Sequence, residues 1–246
     1  MRNRILALGL VVFALAALAS AGAMVTYPSG SGTVSAYLAT PEGGGRKPAI
    51  VVIHEWWGLN DWIKSKADAF AKEGYVALAV DLYRGKVATD PDTAHQLMRG
   101  VPDDRAVRDM KAAVAYLKAR PDVDGSKVAS IGWCWGGGMS LDLAVAEPTL
   151  AGAVLYYGHL MTDPKTIAAL KVPLLGNFGA DDAGIPPETV REFETLAKKD
   201  GKSVDFKIYP DAGHGFASGK TPKSPEDAKD ANARTDAFLA RVLKKM

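Results

Sequence analysis

Apolar runs of strand length alternate with stretches of helical period along most of the chain. Pro48 to Ile53 is β-branched and apolar on both faces, the pattern of a strand buried inside a parallel sheet. Thr33 to Leu38 alternates weakly and reads as an early strand; Tyr75 to Val80, Lys127 to Ile131, Leu150 to Tyr157, Val172 to Phe178 and Val204 to Tyr209 read as five more. Asp61 to Glu73 is amphipathic and stops at Gly74. Val107, Met110, Val114 and Leu117 share one helical face behind the start signal Pro102-Asp103-Asp104. Gly136 to Ala146 and Glu188 to Lys199 also have helical character, and Asp227 to Lys244 closes the chain with Ala231, Phe238, Leu239 and Val242 on one face. This alternation predicts a single α/β domain, a doubly wound and mostly parallel sheet with helices on both faces.

The first residues stand outside that pattern. Arg2 and Arg4 give a positive start, Ile5 to Leu18 is an apolar run, and Ala21-Gly22-Ala23 offers the small residues a signal peptidase needs. The run is short for a membrane span, so residues 1–23 are expected to be a cleaved signal peptide, cut after Ala23 or, as second choice, after Ala21, with no stable membrane anchor left behind. The leader holds two of the 30 basic residues and none of the 28 acidic ones, so residues 24–246 are charge-balanced. A neutral domain without a Lys/Arg run lacks the footprint of a nucleic-acid binder. The expected destination is periplasmic or secreted, where disulfides form, yet the single cysteine permits no intrachain bridge.

That cysteine sits in the most informative stretch. Gly132-Trp133-Cys134-Trp135-Gly136 follows an expected strand and opens an expected helix, the setting of a nucleophile elbow. On such a strained turn, side chains two positions either side of the nucleophile would collide with strand and helix, and glycine removes the collision. The helix N-terminus favours negative charge beside the nucleophile, and thiolate is the reactive form of cysteine. A small cysteine buried in a helix-packing site is the bland alternative, and it leaves glycines on both sides unexplained.

A thiolate mechanism needs a histidine and a carboxylate, in the chain order nucleophile, acid, histidine. His214, in the glycine-rich stretch Asp211 to Phe216, is the histidine well downstream of Cys134. His54 and His95 are upstream, His159 breaks the order, and these three are expected to be structural or exposed. For the acid, Asp181 and Asp182 are both candidates; Asp182 is preferred because Pro186 follows four residues later. No His, Cys and Asp spacing suits a catalytic zinc, and no cofactor is expected. The loop His54 to Asn60 would supply a second oxyanion donor, which makes the backbone N–H groups of Trp56 and Trp135 the natural pair against the substrate.

With these features in place, the chain resembles the dienelactone hydrolase family over nearly all of residues 24–246. The resemblance rests on His54-Glu55-Trp56-Trp57-Gly58, Asp81-Leu82-Tyr83, Gly132 to Gly137, Gly179 to Asp182 and Gly213-His214-Gly215-Phe216. It implies the α/β-hydrolase fold, a Cys134, Asp182 and His214 triad, and a role for Glu55 in generating thiolate when substrate arrives. It also implies a small ester or (enol-)lactone as substrate, cleaved as a carboxymethylenebutenolidase would. Two positions depart from the family. Ser218 stands where an arginine would hold the substrate carboxylate, and Arg84, the other candidate anchor, comes one residue early after Asp-Leu-Tyr. Trp56, Trp133 and Trp135 suggest an apolar or aromatic pocket, and core packing is the equally plain alternative for Trp62. The rival from another class is an exported thiol redox sensor or a non-catalytic ligand-binding hydrolase relic; the chain has no resolving cysteine for the sensor.

Overall fold

The computed structural model describes residues 22–218 and 225–244. Of the expected leader only Gly22 and Ala23 fall within that range; residues 1–21 lie outside the described residues. Eight strands form one sheet: β1 (Ala23–Ser29), β2 (Gly32–Ala39), β3 (Lys47–Ile53), β4 (Val76–Val80), β5 (Val123–Trp133), β6 (Gly152–Tyr156), β7 (Leu174–Gly179) and β8 (Val204–Tyr209). Seven helices accompany them: α1 (Asp61–Lys72), α2 (Pro91–Arg99), α3 (Asp103–Ala119), α4 (Trp135–Ala146), α5 (Pro164–Ala169), α6 (Pro187–Lys199) and α7 (Pro225–Leu243).

The strand order is β1-β2-β4-β3-β5-β6-β7-β8. β2 is antiparallel to both of its neighbours, and every pairing from β4 to β8 is parallel. This is the doubly wound, mostly parallel α/β architecture that the alternation predicts, and the α/β-hydrolase fold that the resemblance implies. The chain runs outward from β3 to β4 and then returns to the other side of β3 as β5. The loops leaving β3 and β5 therefore diverge at a switch in strand order, where open α/β sheets form their crevice. One of those loops carries Glu55, and the other carries Cys134.

The period of two along each central strand divides the core into two layers. Ala49, Val51 and Ile53 of β3 face Met110, Val114 and Leu117 of α3, together with Leu143 of α4 and Phe193 of α6. Ile50 and Val52 face the opposite way, onto Ile63 and Phe70 of α1 and Phe238 and Leu239 of α7. Each large apolar side chain fully buried this way contributes about 1.5–3 kcal/mol relative to exposure.

Three elements are additions to the sequence reading. β1 is an edge strand, paired only with β2, and its Met24 is 55% exposed, so it lacks a buried-strand pattern. α2 and α5 run for nine and six residues, each opened by an aspartate (Asp90, Asp163) whose carboxylate accepts first-turn N–H groups. β5 begins at Val123, earlier than its apolar run, because Lys47 pairs with Val123 before the register shifts. Among the described residues no helix is long and apolar enough to cross a membrane.

Candidate active site

Cys134 is the hinge between β5 and α4, with φ 54° and ψ −123°. A left-handed φ at a non-glycine residue is uncommon and persists where the surroundings hold it. Two contacts hold this one. The Cys134 N–H donates to the Tyr156 carbonyl at 3.0 Å, and its carbonyl accepts from the Gly137 N–H at 2.9 Å. The flanking glycines are steric necessities. A Cβ on Gly132 would lie 1.9 Å from the Gly136 carbonyl oxygen, and one on Gly136 would lie 2.4 Å from that of His54. The turn is therefore so tight that helix α4 starts at the residue after the cysteine.

His214 lies in the loop after β8, and Asp182 in the loop after β7, both at the carboxyl edge of the sheet. Their side chains meet: His214 Nδ1 is 2.7 Å from Asp182 Oδ2, and His214 Nε2 is 3.1 Å from Cys134 Sγ. The other Asp182 oxygen accepts the N–H groups of Gly184 (2.9 Å) and Ile185 (3.1 Å), so both oxygens of this buried carboxylate are engaged. Asp181 is exposed, which decides between the two aspartates on contact with the ring. Burial alone would lower the His214 pKa, but the hydrogen bonds to Asp182 and Cys134 and the charges behind them outweigh it. The result is a rise from 6.5 to about 10. The charged form of the ring is thereby favoured.

The loop after β3 is braced by His54, which is fully buried and whose pKa burial lowers to about 4. The ring is therefore neutral: its Nδ1–H donates to the Glu55 carbonyl at 2.6 Å, and Nε2 accepts the Leu82 N–H at 3.3 Å. Tyr83 adds a second brace, its hydroxyl donating to the Trp56 carbonyl at 3.1 Å. Burial, and then the charge of Cys134, raise the Tyr83 pKa, which places this hydroxyl within the field of the sulfur. Glu55, Trp56 and Trp57 are half-buried. The Trp56 ring meets Trp57 and His95 edge-on at 4.9 and 4.8 Å, and the Trp135 ring lies 5.5 Å from both His54 and Tyr83. Trp56, Trp57 and Trp135 thus border the loop with aromatic rings, Trp56 and Trp135 being two of the three tryptophans expected there. Trp133 and Trp62 pack against each other instead, on the opposite face.

The other expected residues are placed as follows. His95 and His159 are exposed, while His54 is the buried brace just described. Arg84 does not join Cys134 and His214: its guanidinium donates to the buried carboxylate of Asp109 at 2.5 Å. That carboxylate also takes the Ser29 hydroxyl at 2.5 Å and lies 3.7 Å from Arg108. Ser218 belongs to a short 3-10 turn, its hydroxyl donating to the Gly215 carbonyl at 2.9 Å. Tyr157, whose ring centroid lies 5.1 Å from that of His214, carries no sequence signal, and Tyr83 is singled out in the sequence only as part of Asp81-Leu82-Tyr83, not as a brace.

Known proteins are similar to this chain over most of its length. The model of the dienelactone hydrolase family matches residues 34–243. A protein of Methylorubrum extorquens assigned by name as a carboxymethylenebutenolidase is 35% identical over 221 residues, covering 84% of this chain and 76% of its own. A solved structure from Klebsiella pneumoniae, titled as a dienelactone hydrolase by assignment, superposes with a TM-score of 0.83 at 29% identity, covering 89% of this chain and 98% of that one. Another, described as a dienelactone hydrolase-like promiscuous phosphotriesterase from metagenomic libraries, gives 0.81 at 26% identity over 90% and 98%. The match spans both core layers and every loop that meets at Cys134, and on that extent the chain belongs to the dienelactone hydrolase family.

Proposed function

We propose that the protein hydrolyses small carboxylic esters or enol-lactones by acyl transfer through a thioester on Cys134. The observation that carries this reading is the continuous contact from the Cys134 sulfur through His214 to Asp182. The family is one of hydrolases, and relatives bearing the carboxymethylenebutenolidase name are consistent with ester chemistry.

The sulfur, charged beside an imidazolium, attacks the substrate carbonyl carbon. The oxygen that becomes negative is received by the backbone N–H groups of Trp56 and Trp135, worth about 3–4 kcal/mol per donor in hydrolases of this kind. Collapse breaks the C–O bond, and His214 passes its proton to the departing alkoxide or enolate. The neutral ring, held in one orientation by Asp182, then takes a proton from water, which attacks the thioester and releases the acid. Thiolate leaves a tetrahedral centre far more readily than an amide nitrogen does, so amides are poor substrates. With Arg84 engaged by Asp109, the reading favours esters that need no carboxylate clamp at that side chain. Export with cleavage of a leader within residues 1–23 belongs to the same proposal, on the sequence pattern alone.

Steady-state turnover of 4-nitrophenyl acetate by Cys134→Ala, His214→Ala and Asp182→Asn tests the mechanism. Folded variants are expected to lose at least about 10²-fold in kcat each. Turnover within a few-fold of wild type in all three removes the reading.

A further inference from the structure

Gly22, the residue before β1, is built into the fold. A Cβ there would lie 2.7 Å from the Leu38 carbonyl oxygen and 2.7 Å from two carbons of the Tyr37 ring, so glycine alone fits this close against β2. The Gly22 N–H donates to Asp68 Oδ1 of α1 at 3.3 Å. Ala23 then opens the β1–β2 ladder opposite Leu38, and Met24 stands opposite Tyr37. The Tyr37 hydroxyl reaches both oxygens of the same Asp68 carboxylate, at 3.0 and 3.2 Å. Gly22, Tyr37 and Asp68 together tie the edge hairpin to α1.

Asp68 is half-buried, and its two donors, a peptide N–H and a phenol, are neutral. No Lys, Arg or His among the described residues forms an ion pair with it. A carboxylate that gives up part of its hydration gains more from a charged donor than from a neutral one. A positive charge on the Gly22 nitrogen would complete this site, and cleavage of the peptide bond before Gly22 creates one.

The sequence allows that cut. Ala19-Ser20-Ala21 puts small residues at the first and third positions before the bond, as a signal peptidase requires. A cut after Ala23 meets the same rule through Ala21 and Ala23. It would, however, discard Gly22, its contact with Asp68 and the pairing of Ala23 with Leu38. The two cuts are equivalent in sequence and unequal in structure.

We propose that the leader ends at Ala21 and that the mature chain begins with Gly22, whose α-ammonium pairs with Asp68 and pins the edge hairpin to α1. The inference rests on the export reading above and names the bond that is cut. Water adds its oxygen to the Ala21 carbonyl carbon and the C–N bond breaks. Both water protons end on the Gly22 nitrogen, which leaves as an ammonium, and a carboxylate remains on Ala21.

The full chain with its leader, produced in an exporting Gram-negative host and recovered from periplasm or medium, is read by intact mass and N-terminal sequencing. The expected start is Gly22-Ala23-Met24-Val25. A start at Met24, or at any other internal residue, overturns the proposal and leaves export standing. A product that still begins at Met1 removes the export reading and the proposal with it. The ion pair has a readout of its own. In the mature protein the Gly22 amine, followed by pH-dependent amine labelling, is expected to titrate above the ordinary terminal value of about 8. Asp68→Asn keeps an acceptor for both donors and should return the amine to that value. The wild-type midpoint decides alone if the variant does not fold. A midpoint near 8 in the wild-type protein overturns the pairing even where the cut follows Ala21.

Discussion

At the scale of single residues, His214 joins two loops electrically as well as sterically. Its folded pKa, near 10, lies above the unfolded value of 6.5. The charged ring is therefore favoured in the folded protein: its contribution to stability is complete below about pH 6.5 and is lost as pH rises through about 10. Ring nitrogen NMR should show His214 titrating near the upper value, and Asp182→Asn or Cys134→Ala should bring the midpoint down toward 6.5 or below, since burial then acts with less opposition. A wild-type midpoint near 6.5 would break the account of the ion pair. Cys134 and His214 were legible because spacing and chain order carry them. The choice of Asp182 over Asp181 rested on one proline, whereas the structure distinguishes them by burial and by contact with the ring. Tyr157 left no trace, because what sets it apart is a left-handed dihedral angle and a hydroxyl without a partner among the described residues, and neither is written in residue identity.

At the scale of elements, the β5–α4 turn works because nothing but backbone fits inside it. A methyl on Gly136 would approach the carbonyl oxygens of His54 and Ile53 at 2.4 and 2.6 Å, and backbone cannot step aside as a flexible side chain does. Gly136→Ala is expected to lose at least about 1–3 kcal/mol of stability, seen as a lower urea midpoint at unchanged slope, with esterase activity lost in step. An equally stable variant would mean the loop after β3 is not pressed on the elbow. Elements with strong periodicity, such as α1, α3 and α7, were readable to within a few residues. α2 and α5 were not, being too short for periodicity to build, although Asp90-Pro91 and Asp163-Pro164 are start signals that a closer reading of caps would use. β1 escaped because an edge strand alternates against solvent on one side and needs no apolar run.

At the scale of the molecule, the parallel sheet places its chemistry where strand order reverses, and an antiparallel hairpin closes one edge. That edge is tied to α3 by the buried Asp109, which takes Ser29 from β1 and Arg84 from the loop after β4, while its carbonyl accepts the Tyr27 hydroxyl at 3.1 Å. Arg84→Ala leaves this carboxylate short of its closest cation. With the guanidinium about a third exposed, the cost is about 2–3 kcal/mol, a Tm fall of several degrees. KM for 4-nitrophenyl acetate should hold. A large KM rise at unchanged Tm would return Arg84 to the substrate-binding role that its sequence position suggests. The fold was legible as a whole because alternation of strand and helix leaves few topologies, whereas the commitment of Arg84 depends on a partner 25 residues away in the chain.

The central claim is that the lone sulfur of the chain carries the acyl group. Rapid acid quench during turnover of 4-nitrophenyl acetate, followed by peptide mass spectrometry, measures this directly. The account predicts an acetyl increment on the peptide bearing Cys134, released by hydroxylamine and absent from Cys134→Ala. Turnover at the wild-type rate with that peptide unmodified throughout would contradict it.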